Sequence, residues 1–269
     1  MKRKEQKEWI QTNKKKWICL GIGLTLLILG IVLTVITRPG ALTENAGTGA
    51  KIPFALGLIM ILLGIVIPLA GAIPEKRDTD VRTLSMAALF AALCYIGFTY
   101  CKIDIPVGME KSAIHLGNVF CVLAALVLGG MWGGMAGAVG MTIADLTTAY
   151  VTSAPKTFLL KLCIGLITGF VAHKIFKLSQ DKEERKIPLT AATAISCAAG
   201  MAFNIVADPL VGYFYKMYIL GVPQEAASIW AKIGAITTSV NAVVAVIAAT
   251  LLYMALRKAM KRTNLLPKL

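Results

Sequence analysis

Long apolar stretches separated by basic segments constrain the fold of this chain more than any other feature of its sequence. Eight stretches reach the length of about 20 residues that a helix needs to cross the hydrocarbon core of a bilayer. They lie at about 17–37, 52–73, 83–100, 113–129, 131–151, 157–175, 188–212 and 230–256. With 57% hydrophobic residues and a mean hydropathy of +0.72, the composition excludes a soluble globular domain. The sequence therefore predicts an all-α polytopic membrane protein.

The basic residues, which give the chain a net charge of +14, are clustered between the apolar stretches. Clusters occur at the N-terminus, in 74–82, in 174–187 and in the C-terminal tail, whereas 38–51 and 101–112 carry few positive charges. Cytoplasmic segments of membrane proteins are enriched in Lys and Arg. We therefore expect both termini of this multi-pass protein of the cell membrane to be cytoplasmic, which an even number of spans also requires. The same pattern explains the charge without a nucleic-acid partner.

A polar linker divides the chain into two parts. Before it lies an accessory N-terminal transmembrane hairpin (1–75), whose two apolar helices carry no ionisable residue. After the linker itself (76–82) comes a six-helix module (83–258) that holds the polar residues of interest, followed by a basic cytoplasmic tail (259–269). We predict that the six-helix module binds the substrate.

The stretch 114–161 is apolar enough for a membrane, yet it carries several polar residues. These are His115, Asn118, Asp145 and Lys161. Ionisable groups inside a membrane cost about 2.5–3.5 kcal/mol each on insertion scales, so they usually face a cavity. A glycine run between positions 129 and 140 is expected to let neighbouring helices pack closely.

The predicted topology places polar side chains of five helices in the outer half of the module, beneath loop 101–112. The expected substrate-binding residues are His115, Asn118, Asp145, Tyr150, Lys161, Asn204, Asp208 and Asn241. Structural explanations remain open: an asparagine often forms an interhelical hydrogen bond, His115 suits a helix cap, and Asp145 and Lys161 suit an ion pair. Convergence at one depth favours a site, because small ligands are held by a few polar groups in an apolar pocket.

The motifs of several enzyme classes are absent from the sequence. No GxxxxGK[ST] phosphate loop, HExxH or GxSxG motif occurs. The two histidines, His115 and His173, leave little material for a catalytic triad or a three-ligand metal site. We therefore expect no enzymatic activity, cofactor or metal. A self-sufficient proton-coupled carrier that uses Asp145 or Asp208 is the alternative to a substrate-binding subunit.

Several short motifs of the module are similar to those of one family of membrane proteins. The motifs are HLGN at 115–118, LGGMWGGMAGAVG at 128–140, ADL at 144–146 and APKTFLLK at 154–161, with alanines at 87, 88, 91 and 92. With these motifs, about two thirds of the chain resembles the substrate-binding (S) components of energy-coupling factor (ECF) vitamin transporters.

This resemblance implies a six-helix bundle with a vitamin site under the first extracellular loop. It also implies an ECF transmembrane scaffold subunit and two cytoplasmic ATPase subunits as partners. The small residues Ala87, Ala88, Ala91 and Ala92 would form the face that docks on the scaffold. The implied substrate is a pyridoxine-like compound or hydroxymethylpyrimidine, then riboflavin. The hairpin 1–75 departs from the six-helix pattern, and the absence of a histidine after Met1 disfavours the nickel and cobalt branch.

Overall fold

The computed structural model describes residues 2–41, 81–107, 110–179 and 187–262, with isolated positions between 53 and 67. The predicted second span (52–73) apart from those positions, most of the linker 76–82 and the end of the basic tail (263–269) lie outside the described residues. The chain divides into two compact units, Met1–Asp78 with Lys216–Val222, and Thr79–Tyr215 with Pro223–Leu269.

The first unit contains a 40-residue helix, α1, from Lys2 to Ala41. Within it, Trp17–Thr37 is long and apolar enough to span a membrane, which agrees with the first predicted span. Large apolar side chains such as Trp17, Ile28 and Ile36 are exposed along it. A continuous helix is the expected form of such a segment, because backbone polar groups in lipid must be satisfied within the segment.

The second unit is built from six further helices and one β-hairpin. The helices are α2 (Val81–Thr99), α3 (Gly117–Leu128), α4 (Gly130–Leu146), α5 (Ala154–Phe170), α6 (Leu189–Tyr218) and α7 (Gln224–Arg262), with a 3₁₀ turn at Val151–Ser153 and a π-helical turn at Val171–Ile175. Among the described residues, five helices are long and apolar enough to cross a membrane, and α3 is a shorter apolar helix. The chain is thus an all-α polytopic membrane protein.

The segment between α2 and α3 is a two-stranded hairpin. Strand β1 (Lys102–Val107) pairs antiparallel with β2 (Glu110–His115), so that Lys102 lies opposite His115. The segment 101–112 was predicted to be a loop, and the next helix was predicted to begin at about residue 113. That helix start is wrong by four residues. The strand pairing of 113–115 delays the start of α3 to Gly117.

Helix α3 lies at the centre of the second unit. Nearly every residue from Gly117 to Leu128 is buried, and a helix that is apolar on all sides is suited to such a position. Gly129, with φ 83°, separates α3 from α4 in a conformation that a residue with a side chain rarely adopts.

The glycine run packs α4 against its neighbours, as predicted. A Cβ at Gly134 or Gly130 would come within 3.1 Å or less of backbone atoms of α5, and one at Gly140 would overlap the carbonyl of Ala91 on α2. The converse holds on α5, where a Cβ at Gly165 would overlap the backbone of Gly134. The absence of side chains therefore sets the distance between these helices.

The expected alanine face of α2 is only partly exposed. Ala88 and Ala92 are exposed, but Ala87 is buried and Ala91 packs against the core at Gly140. The expectation that Ala87 and Ala91 lie on an open face is wrong, because the bare surface of α4 at Gly140 brings the two helices together there. Of the four predicted alanines, Ala88 and Ala92 therefore lie on the outward face and Ala87 and Ala91 do not.

Candidate functional site

The polar side chains of the second unit converge at the end of the helices that carries the hairpin. His115 ends β2, Asn118 lies in the first turn of α3, Asp145 in the last turn of α4, and Lys161 in the second turn of α5. Asn204 on α6 completes the group, and each of the five residues is at most 8% exposed. Five different elements thus each contribute one buried polar group.

Four of these residues have a buried polar atom that lacks a hydrogen-bond partner. The atoms are Nδ1 of His115, Oδ1 of Asn118, Oδ2 of Asp145 and Oδ1 of Asn204. A buried polar group without a partner costs about 1–3 kcal/mol, so such groups are rare unless they serve a purpose. Three threonine hydroxyls, those of Thr99, Thr142 and Thr168, are also buried without a partner. The four atoms on His115, Asn118, Asp145 and Asn204 are the ones that belong to predicted site residues.

Lys161 is buried without a direct counter-ion. Within the described part of the chain, the ion pairs formed at 4.0 Å or less do not include Lys161. The carboxylates whose charges act on it are Asp208 and Asp145. The proposed structural pair of Asp145 with Lys161 is therefore not formed, and Thr157 is instead the hydrogen-bonding neighbour of Asp145.

Asp208 is occupied by contacts within the protein. Its Oδ1 accepts a 2.8 Å hydrogen bond from the ammonium of Lys156, and its Oδ2 accepts one of 2.8 Å from the Thr238 hydroxyl. This network joins α5, α6 and α7. Sequence reasoning missed Lys156 and Thr238, although Lys156 stands in the same APKTFLLK motif as Lys161 and one turn closer to the helix start.

His115 presents a neutral imidazole to the site. Burial, together with the nearby charge of Lys161, lowers the pKa of His115 to about 3. Its ring packs edge-on against Phe98 at a centroid distance of 4.6 Å. A neutral ring has one nitrogen that donates and one that accepts, so His115 is able to offer either to a ligand.

Tyr150 holds the first strand of the hairpin. Its hydroxyl donates a 2.9 Å hydrogen bond to Asp104 on β1, and Asp104 pairs with Lys102 at 3.3 Å. The Lys102 ammonium lies 5.0 Å from the centroid of the Tyr150 ring. Burial and the neighbouring Asp104 raise the pKa of Tyr150, so the hydroxyl remains a donor. In the structure, the side chain of Tyr150 thus contacts strand β1 of the hairpin.

Asn241 holds the second strand. Its Oδ1 accepts a 2.8 Å hydrogen bond from the backbone N–H of His115, and its Nδ2 donates a 3.0 Å hydrogen bond to the carbonyl of Ala113. One turn earlier on α7, the hydroxyls of Thr237 and Ser112 lie 2.7 Å apart. Strand β1 is therefore attached to Tyr150, in the turn that follows α4, and strand β2 is attached to α7.

In the part of the chain that the structure describes, no three His, Cys, Asp or Glu side chains are grouped to hold a metal ion.

The hairpin contacts of Lys102 and Asp104, and the contact of Thr157 with Asp145, were not predicted. Which polar residues of a loop or a helix meet one another depends on tertiary packing, and the sequence alone does not show this.

Comparison with known proteins identifies a family that the chain matches. The model of the family described as "ECF-type riboflavin transporter, S component" matches residues 78–258, which is nearly the predicted six-helix module. No curated protein and no solved structure matches the chain.

Proposed function

Because the chain belongs to the family of the ECF-type riboflavin transporter S component, we propose that it captures a water-soluble vitamin or vitamin precursor at the outer face of the cell membrane. The binding site is the buried polar group formed by His115, Asn118, Asp145, Lys161 and Asn204. Transport then requires other subunits of an ECF transporter, and the chain itself is not an enzyme.

The observation that carries this proposal is the set of four buried polar atoms without a partner on His115, Asn118, Asp145 and Asn204, together with the buried Lys161. A ligand that donates hydrogen bonds to the oxygens of Asn118, Asp145 and Asn204 and accepts one from Lys161 removes the penalty of leaving them unpaired. Because a hydrogen bond to a charged group contributes about 1.5–3 kcal/mol, two or three such contacts suffice for tight capture of a small molecule.

The chemical class of the ligand follows from the same groups. A flat heterocycle with ring N–H or hydroxyl donors and one strong acceptor matches them, and the rings of His115 and Phe98 offer an aromatic wall. Riboflavin, after which the matching family is described, pyridoxine and hydroxymethylpyrimidine all have this pattern. The hairpin above the site, fixed by Tyr150 and Asn241, separates the bound ring from water.

The proposed transport mechanism assigns ATP hydrolysis to partner subunits, since the sequence has no phosphate-loop motif. An ECF scaffold subunit and two cytoplasmic ATPases are the partners that the family implies. In this proposal the chain has eight spans with both termini in the cytoplasm, and the six-helix module 83–258 follows the accessory hairpin 1–75. The site then faces outward and reorients with the whole subunit in the membrane.

The purified protein provides the direct test. Native mass spectrometry is expected to show a co-purified small molecule, and titration with riboflavin, pyridoxine and hydroxymethylpyrimidine is expected to find one that binds. Failure of all three to bind, together with the absence of any co-purified molecule, contradicts the proposal. Uptake in cells distinguishes the proton-coupled alternative, because only a carrier of that kind works without the ATPase subunits and stops when the proton gradient is removed.

A further inference from the structure

The side chain of Asn241 has an unusual pair of partners. It is 4% exposed, and both its oxygen and its nitrogen are bonded to the backbone of one strand. Ala113 and His115 are two residues apart on β2, so the carbonyl of the first and the N–H of the second point to the same side of the strand. At the outer edge of β2, the amide of Asn241 therefore forms the hydrogen bonds that a neighbouring strand would form.

These contacts occupy both the oxygen and the nitrogen of the Asn241 amide. An asparagine has one carbonyl oxygen and one NH₂ group, and in Asn241 each makes a hydrogen bond of 3.0 Å or less to the hairpin. By contrast, Asn118 and Asn204 each have a buried oxygen without a partner. The three asparagines thus fall into two groups, and Asn241 belongs with the attachment of the hairpin.

The residue that this attachment fixes is His115. Its backbone N–H bonds to Asn241, its ring is held edge-on by Phe98, and its Nδ1 is buried without a partner. We infer that Asn241 is a positioning residue that holds His115 in the orientation in which the ring meets the ligand, and that Asn241 does not itself touch the ligand. This inference rests on the proposed function.

Positioning of this kind affects affinity through the freedom of the unbound site. If the end of β2 is loose, ligand binding must order it, and the conformational freedom that is lost weakens binding. The effect of Asn241 on affinity must then pass through the ring of His115. A residue that contacts the ligand directly has an effect that is independent of that ring.

A double-mutant cycle on the full-length protein separates these two possibilities. The probe is whichever of riboflavin, pyridoxine and hydroxymethylpyrimidine binds the unsubstituted protein. Asn241→Leu removes both hydrogen bonds and is expected to raise the Kd about 10- to 30-fold. In a His115→Ala background the same substitution is expected to raise the Kd by less than about threefold, since residues that act as a unit are not additive. Equal fold-changes in the two backgrounds overturn the inference.

A second measurement needs no ligand. Hydrogen exchange of the His115 amide is expected to accelerate in Asn241→Leu and to stay slow in Asn241→Asp, whose carboxylate still accepts that N–H but no longer donates to Ala113. Ser239→Ala is the matched control, because the Ser239 hydroxyl bonds within α7 to the carbonyl of Ala235. Unchanged exchange in Asn241→Leu overturns the inference, whereas a protein that binds none of the three compounds contradicts only the proposed function.

If Asn241→Leu does not fold, Asn241→Asp takes its place in the binding cycle. It is expected to lower the affinity a few-fold, and this loss of affinity is expected to disappear in the His115→Ala background. A loss of affinity that persists there overturns the inference.

Discussion

At the scale of single residues, Lys161 has the strongest reason to be a ligand contact. Its ammonium group is buried on α5. Of the two acidic residues whose charges reach it, Asp208 pairs with Lys156, and Asp145 forms no ion pair with Lys161 at 4.0 Å or less in the described part of the chain. A buried charge without a direct partner is strongly unfavourable to the folded protein unless something else compensates it. In the proposed function, the ligand supplies that compensation.

We therefore expect Lys161→Met to weaken ligand binding at least about tenfold, because a hydrogen bond to a charged group is lost. The thermal stability of the ligand-free protein is expected to stay the same or rise, since methionine fills the space without a charge. Titration and thermal unfolding measure the two effects. Unchanged affinity with a stability loss that Asp145→Asn restores would instead mean that Lys161 and Asp145 act as a structural pair.

The neutral state of His115 predicts a dependence of stability on pH. The pKa of His115 is lowered from 6.5 to about 3 in the folded protein, so between these values the unfolded chain binds more protons than the folded one. Stability contributed by His115 is thus fully present above pH 6.5 and is lost as the pH falls toward 3. Thermal unfolding between pH 7 and 4 is expected to show a smaller decline in His115→Gln than in the unsubstituted protein. Parallel declines contradict this assignment.

The candidate site was predictable at those positions where a polar residue interrupts an apolar helix. His115, Asn118, Asp145, Lys161 and Asn204 were found in this way, and the structure brings them together. Its internal pairing was not predictable: whether Asp208 meets Lys156 or Lys161 depends on how α5 is rotated and shifted against α6, and the sequence does not specify this. The hydrogen bonds of Asn241 to the backbone of β2 were not predictable, because the segment that forms the hairpin was predicted to be a loop.

At the scale of elements, the two strands of the hairpin are attached by different chemistry. Strand β2 is attached by buried, uncharged groups of α7. Strand β1 is attached through its own residues Asp104 and Lys102, which contact Tyr150 and whose side chains are 31% and 17% exposed. Exposed charged contacts are weak and are screened by salt. The attachment of β1 is therefore the weaker of the two.

We expect Tyr150→Phe to accelerate hydrogen exchange in β1 more than in β2, because only the contact with Asp104 is removed. Raising the salt concentration is expected to act in the same direction in the unsubstituted protein. Tyr215→Phe is the control, since the Tyr215 hydroxyl bonds to the carbonyl of Thr152. Equal acceleration in both strands would show that the hairpin opens as one piece.

The exposed alanines of α2 predict where a partner docks. Ala92→Trp is expected to abolish uptake in cells, because a large side chain prevents close approach of another helix, while ligand binding by the purified protein is unchanged. Ala87→Trp, at the buried neighbouring face, is expected to lower thermal stability, as overpacking of a core usually does. Loss of binding in purified Ala92→Trp would place this face inside the bundle.

The helices themselves were largely predictable, because each is a long apolar stretch, and most predicted spans overlap an observed helix. The errors lie at the ends. Ala87 and Ala91 were assigned to the open face of α2 together with Ala88 and Ala92, because a pattern of alanines alone does not show which side meets a glycine surface. The start of α3 was misjudged because strand pairing of 113–115 is set by β1, which lies ten residues away in the chain.

At the scale of the whole molecule, the family match and the residues of the site occupy the same part of the chain. The match begins at residue 78, and the second compact unit begins at Thr79. A chain that begins at residue 78 is therefore expected to insert into the membrane and to bind the ligand with a Kd within about threefold of that of the full-length protein. Titration of the two purified proteins measures this. Loss of binding in a correctly inserted shortened chain would assign the first 77 residues a part in the site.

The glycine contacts of α4 have a consequence for how this protein can change over time. Gly130, Gly133, Gly134, Gly137 and Gly140 fix the helix against its neighbours, whereas Asp145 reaches the polar group from its last turn. The bare contacts that form the frame therefore end before the recognition end of the helix begins. Substitutions at the recognition end leave the bare contacts of the frame untouched, so a lineage is able to exchange one cargo for another by replacing a handful of polar side chains while the architecture persists.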